Sequence, residues 1–86
     1  MSKQQSYNGW PNYETWNVML WMDNEEGAYR LYREHVEMAR RNKQRYTGEW
    51  AQTVVRQYFG VQTPDKVSFA STKIRWGRIA EAMRER

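Results

Sequence analysis

The segment PNYETWNVMLWMDNEEG, residues 11–27, decides how this chain folds. It holds two of the five tryptophans, one tyrosine, two methionines and four carboxylates, and no basic residue. Asn12, a favoured N-cap residue, or Pro11 opens a helix here, and Glu14 lies in the first turn, where the helix dipole favours negative charge. Tyr13, Trp16, Leu20 and Trp21 recur at the i, i+3, i+7, i+8 spacing of one helical face, while Val18, Met19 and Met22 cover much of the remainder. A helix that is apolar nearly all round is usually buried. The pattern therefore predicts an anchoring helix whose Trp16, Leu20 and Trp21 fill the core. Asn12 and Thr15 are expected to bond amides at helix starts.

Working outward, Asp23 and Glu26 stand three residues apart, a capping-box-like start for a second helix over about residues 24–41. Its inward stripe is Ala28, Tyr32, His35, Val36 and Ala39, with Leu31 and Met38 beside it. Its outer face offers Glu26 with Arg30 and Glu37 with Arg41 at i, i+4 spacing, each pair contributing only about 0.2–0.5 kcal/mol. Arg40 and Arg41 at its end match the helix dipole, which accounts for part of their charge without any ligand. Thr47 is placed to cap a third helix over about 48–59, which Gly60 ends. Residues 66–71 alternate weakly; with no strand to pair with, they read as loop or a single helical turn. A last helix is predicted over about 72–85, with Ile74, Trp76, Ile79, Ala80 and Met83 inward and Gly77 allowing a close neighbour. The fold class is all-α: one small domain of three to four helices over residues 12–86 with a tryptophan-rich core, after a flexible tail over residues 1–11 from which Tyr7 and Trp10 can fold back onto the core.

Size and composition limit what such a domain can do. Eighty-six residues make one domain, and a chain this short needs large side chains to bury enough surface. Thirteen aromatic residues supply them. No cysteine is present and His35 is the single histidine, so disulfides, thiolate metal sites and multi-histidine zinc sites are excluded. No apolar run is long enough to span a membrane, and the first ten residues lack the apolar core of a signal peptide. The expectation is a cytoplasmic protein with no metal and no cofactor. Ser6, Ser68 and Ser71 lack the glycines of a nucleophile elbow, and the five glycines are scattered and form no phosphate-binding loop. His35 sits on an inward stripe, where a histidine is a packing residue. Catalysis is not expected.

Charge is unevenly placed. Residues 1–39 carry three Lys/Arg against six Asp/Glu, and residues 40–86 carry eleven against four. An anionic partner for the second half is one reading; an acidic half packed beside a basic half is the other. Two clusters are the candidate binding residues: Arg40, Arg41, Lys43, Arg45 and Tyr46 in ARRNKQRY, and Lys73, Arg75 and Arg78 near the last helix. Their lysines and arginines suit phosphate binding, and Tyr46, Trp50 or Trp10 suit base stacking where exposed. No short Gly-containing helix-turn-helix connection is evident.

Asn12, Tyr13, Thr15, Trp16, Val18, Leu20, Trp21, Asn24, Glu25 and Tyr29 fit the pattern N-Y-x-T-W-x-V-x-L-W-x-x-N-(D/E)-x-x-x-Y. Ile74, Trp76, Ile79 and Ala80 fit a second pattern, V-x-W-x-x-I-A, with Ile in place of the leading Val. In these residues the chain resembles a family of small uncharacterised proteins of bacteria, phages and plasmids. The resemblance brackets most of the chain but not residues 40–68, and many members are acidic where this chain is basic. It implies a compact helical fold and a mobile-element origin, with Asn12, Tyr13, Thr15, Trp16, Leu20, Trp21, Trp76 and Ile79 as fold-determining positions. It implies no activity. The function expected is non-enzymatic binding: first an accessory protein of phage or mobile-element type that engages a host protein, and as the alternative a nucleic-acid binder using residues 40–46 and 73–78.

Overall fold

Four helices form among residues 9–85, which the computed structural model describes: α1 (Tyr13–Asn24), α2 (Glu26–Arg41), α3 (Gly48–Phe59) and α4 (Trp76–Glu85). The chain is all-α, as its periodicities predict. Most of the expected tail, Tyr7 included, and residue 86 lie outside the described residues. Trp10 does fold back: it packs against the rim of the core.

Asn12 caps α1, its Oδ1 accepting the Thr15 amide at 2.9 Å. The join to α2 is a single extended residue, Glu25, whose amide closes α1 on the Trp21 carbonyl while its own carbonyl accepts the Tyr29 amide of α2. The expected Asp23–Glu26 capping box does not form. Asp23 stays inside α1, and its carboxylate instead accepts the Tyr32 hydroxyl at 2.6 Å, tying the end of α1 to the second turn of α2. On the exposed side of α2, Glu26 pairs with Arg30 as expected, but Glu37 pairs with Arg40 rather than Arg41. Thr47 caps α3 through the Trp50 amide, and Gly60 ends it at φ 85°, a left-handed conformation that glycine tolerates.

The face that α1 buries is not the aromatic one. Thr15, Asn17, Val18, Met19 and Met22 point inward, whereas Trp16, Leu20 and Trp21 are half-buried and Tyr13 is exposed. With Tyr32, Val36, Val54, Val55, Phe69, Ile79 and Met83 they make a core of methionine, branched aliphatic and two aromatic side chains. The tryptophans form its rim: Trp10, Trp50 and Trp76 pack against its edge and none is fully buried. Trp76 and Ile79 keep their expected core-facing roles, one at the rim and one inside.

Polar side chains on the inward side of α1 explain the reversal. They hold the connection between α3 and α4. Asn17 is fully buried; its Oδ1 accepts the Thr63 hydroxyl at 2.7 Å and its Nδ2 donates to Asp65 Oδ2 at 2.8 Å. Trp21 Nε1 donates to the same carboxylate oxygen at 2.9 Å. Thr15 Oγ1 accepts the Arg75 amide, and Asn12 Nδ2 donates to the Lys73 carbonyl. So Thr15 bonds no amide at the start of its own helix; it bonds that of Arg75, the residue before α4. Because these backbone groups are committed to α1, α4 begins at Trp76 and not near residue 72. Within the connection, residues 61–69 fold on themselves. Gln62 and Ser68 make one antiparallel bridge, and Val67 and Phe69 are buried. The weak alternation of residues 66–71 thus finds a partner inside its own loop. The close approach expected at Gly77 occurs at Gly48 instead. A Cβ there would stand 3.1 Å from the Gly77 nitrogen and from the Trp76 Cβ, while Gly77 itself faces open space.

Substitutions at three positions test this packing. Met22→Ala removes a fully buried side chain and is expected to cost about 2–5 kcal/mol, while Trp16→Ala, at a half-buried position, costs less; urea unfolding of the two variants reads the order. The third position responds to acid. Hydrogen bonds from Asn17 and then Trp21 hold the exposed Asp65 carboxyl below its ordinary range, with a smaller desolvation effect opposing them. A native carboxyl that releases its proton more readily than the unfolded one contributes stability that is complete above the unfolded pKa of about 3.9 and is lost as pH falls through the lowered native value. The stability gap between wild type and Asp65→Ala is therefore expected to narrow on acidification through that window; a gap independent of pH would contradict the assignment.

Candidate functional site

The C-terminus of α2 is built to present charge. The Gln44 amide donates to the Ala39 carbonyl and the Lys43 amide to the Arg40 carbonyl, the paired bonds of a Schellman ending. Its left-handed position is usually glycine, yet here it is Lys43, at φ 55°. A non-glycine residue in that conformation costs about 1–2 kcal/mol. The turn sends the chain back under α2, where the Tyr46 hydroxyl donates to the Val36 carbonyl at 3.2 Å and the ring meets Trp50 edge-to-face, centroids 5.2 Å apart.

Around Tyr46 the surface is concave. A cleft of about 510 Å³ is lined by Arg33, Val36, Ala39, Arg40, Lys43, Gln44, Tyr46 and Arg84. A second, of about 410 Å³, shares Tyr46 and Arg84 and adds Gly77, Arg78 and Glu81. A third, of about 470 Å³, shares Gln44 and is lined by Arg45, Thr47, Glu49, Trp50 and Thr53. The cations come from α2, the α2–α3 connection and α4. Arg40 is paired with Glu37 and Arg78 with Glu81, both at exposed positions where such pairs are weak. Arg78 also lies over the Trp10 ring, 4.7 Å from its centroid. Among the described residues Arg33 and Lys43 make no ion pair. Helix-dipole compensation does not explain Arg33, which sits two turns before the end of α2; Lys43, one residue past the C-cap, stands at the negative end of the dipole.

Of the residues singled out in the sequence, Arg40, Lys43 and Tyr46 come together in the first cleft, Arg78 joins from the second and Arg45 from the third. Arg41 lines none of these clefts. Lys73 and Arg75 do not either; they stand in the connection before α4, where α1 holds their backbone. Arg33 and Arg84 are additions that the charge clusters do not point to. Arg33 precedes Arg40 by two helical turns, so its face is available from periodicity. Arg84 is brought in only by the packing of α4, and no local signal announces it. His35 is half-buried and bonds Gln57 of α3 at 2.8 Å, a spacer between helices.

Chemically, the cleft offers guanidinium and ammonium donors beside a phenol ring. Such a set attracts anions. No group of metal-ligating side chains gathers among the described residues, and no described helix is long and apolar enough to cross a membrane.

A second surface lies along the flank of α1. Tyr13 and Trp16 pair at 5.6 Å, Trp21 meets Phe59 edge-on at 6.5 Å, and Tyr58 beside Phe59 is exposed. Leu20, Trp21 and Asn24 line a shallow apolar dent of about 120 Å³.

No curated protein and no solved structure matches the chain. Residues 3–86 match a family of unknown function, DUF7249, and the chain belongs to that family.

Proposed function

We propose that this protein works by binding and not by catalysis, and that the basic concave surface around Tyr46 takes nucleic acid. The observation that carries the reading is the convergence of Arg33, Arg40, Lys43 and Arg84 on one cleft from three separate elements. Lys43 adds weight, because it occupies a strained position that glycine would fill at lower cost. A cytoplasmic setting, where nucleic acid is abundant, fits this reading.

The experiment is fluorescence anisotropy with a labelled oligonucleotide over a range of salt. Replacing Arg33, Arg40, Lys43 and Arg84 with Gln is expected to weaken binding more than tenfold at low salt. It should also flatten the salt dependence by about 0.7–0.9 in log–log slope for each phosphate that is no longer neutralised. Unchanged affinity would remove this face from the site. Lys43→Gly separates charge from fold. It is expected to raise stability by about 1 kcal/mol, by relieving the left-handed strain, while weakening binding.

A second reading is favoured by the flank of α1. An accessory protein, of phage or mobile-element type, that engages a host protein would use the half-exposed Trp16, Leu20 and Trp21 as anchors, since interface hot spots are rich in tryptophan and tyrosine. A tagged pull-down from bacterial lysate tests it. A defined protein that survives nuclease and disappears with Leu20→Arg supports this reading, and recovery of nucleic acid alone sinks it.

A further inference from the structure

We read the three clefts, which share lining residues, as one trough. The first two share Tyr46 and Arg84, and the first and third share Gln44. Two aromatic rings line it, Tyr46 and Trp50, inclined at 86° to one another. Both pack against the core before any ligand arrives, and the Tyr46 hydroxyl also donates to the Val36 carbonyl.

Resting on the reading just proposed, we infer that the nucleic acid bound is single-stranded, with unpaired bases stacking on Tyr46 and Trp50 while the trough cations follow its phosphates. Shape is the first argument. Readers of duplex DNA push a helix or ribbon into the major groove, whereas here cations from α2, the α2–α3 connection and α4 line a concavity. The rings are the second. Stacking needs a free base face, which a duplex keeps inside its own stack. Bases laid on two rings nearly perpendicular to each other are turned by about a right angle, a bend that the parallel stack of a duplex does not allow and a single strand does. Charge is the third. Arg33, Lys43 and Arg84 flank Tyr46, and Arg45 flanks Trp50, so each ring has cations within the same cleft. Glu81 and Glu49, which also line the trough, keep its charge moderate, in line with salt-sensitive, sequence-tolerant binding.

The test compares oligo-dT and oligo-rU of about 15 nucleotides, a length on the scale of known single-strand sites, with a duplex of equal length, all on the full chain. Both single strands are expected to bind at least tenfold more tightly than the duplex and to quench tryptophan emission. Trp50→Leu should abolish most of that quenching and weaken binding about tenfold, as should Tyr46→Leu for affinity. Tyr46→Phe keeps the ring and loses only the bond to Val36, so it should bind as wild type; this separates stacking from a folding defect, with circular dichroism checking the helices. A duplex bound as tightly as the single strands, or ring variants that bind as wild type, overturns the inference and leaves the basic-face reading standing. Failure to bind any of the three probes at low salt overturns both.

Discussion

Everything beyond α3 is positioned by a carboxamide with no access to water. A buried amide that lacks partners costs about 1–3 kcal/mol for each unsatisfied group, so Asn17 is stable inside only because Thr63 and Asp65 come to it. Thr63 in turn accepts the Val67 amide, which turns the loop back on itself. Thr15 and Asn12 continue the same row toward residues 73–75 and so fix where α4 begins. The heading of α4 then decides that Arg84 stands beside the end of α2 and Arg78 beside Tyr46. A polar stripe on the first helix thereby assembles a basic surface in which that helix takes no part.

How much of this is legible in the sequence depends on how far each residue must reach. The caps made by Asn12, Thr47 and Gly60 act on backbone three or four residues away and are readable from local rules. The inward face of α1 is not, because a helix that is apolar nearly all round offers several equivalent faces. What selects among them is Thr15 and Asn17, whose partners lie 46–60 residues further on. Polar residues in a hydrophobic stretch look like interruptions until those partners are seen. The tryptophans mislead for a related reason. Their size suggests a core, but a domain this small fills its centre with slimmer methionine and valine and sets indoles at the edge, where Trp21 keeps its N–H on Asp65.

The candidate surface divides in the same way. Arg40, Lys43 and Tyr46 belong to one run of chain, and their proximity is local. Lys73 and Arg75 look equivalent on paper, yet their backbone is used by α1 and they line none of the clefts around Tyr46. Arg84 reaches the cleft only through tertiary packing. The two surfaces also differ in kind. One is concave, basic and framed by a strained turn; the other is shallow, aromatic and made of residues that the fold had no room to bury.

The one-residue joint at Glu25 has a consequence for how this chain tolerates changes in length. Between most helices a loop absorbs insertions without disturbing its neighbours. Here α1 and α2 meet at a corner with no slack. One added residue that extended α2 backward would rotate that helix by about 100°. Tyr32 would swing away from Asp23, the Ala28–Val36 stripe would leave the core, and the end of α2 would carry its cations to another side of the molecule. An insertion in the exposed 42–45 stretch forces no such rotation; at the Glu25 corner, chain length is locked.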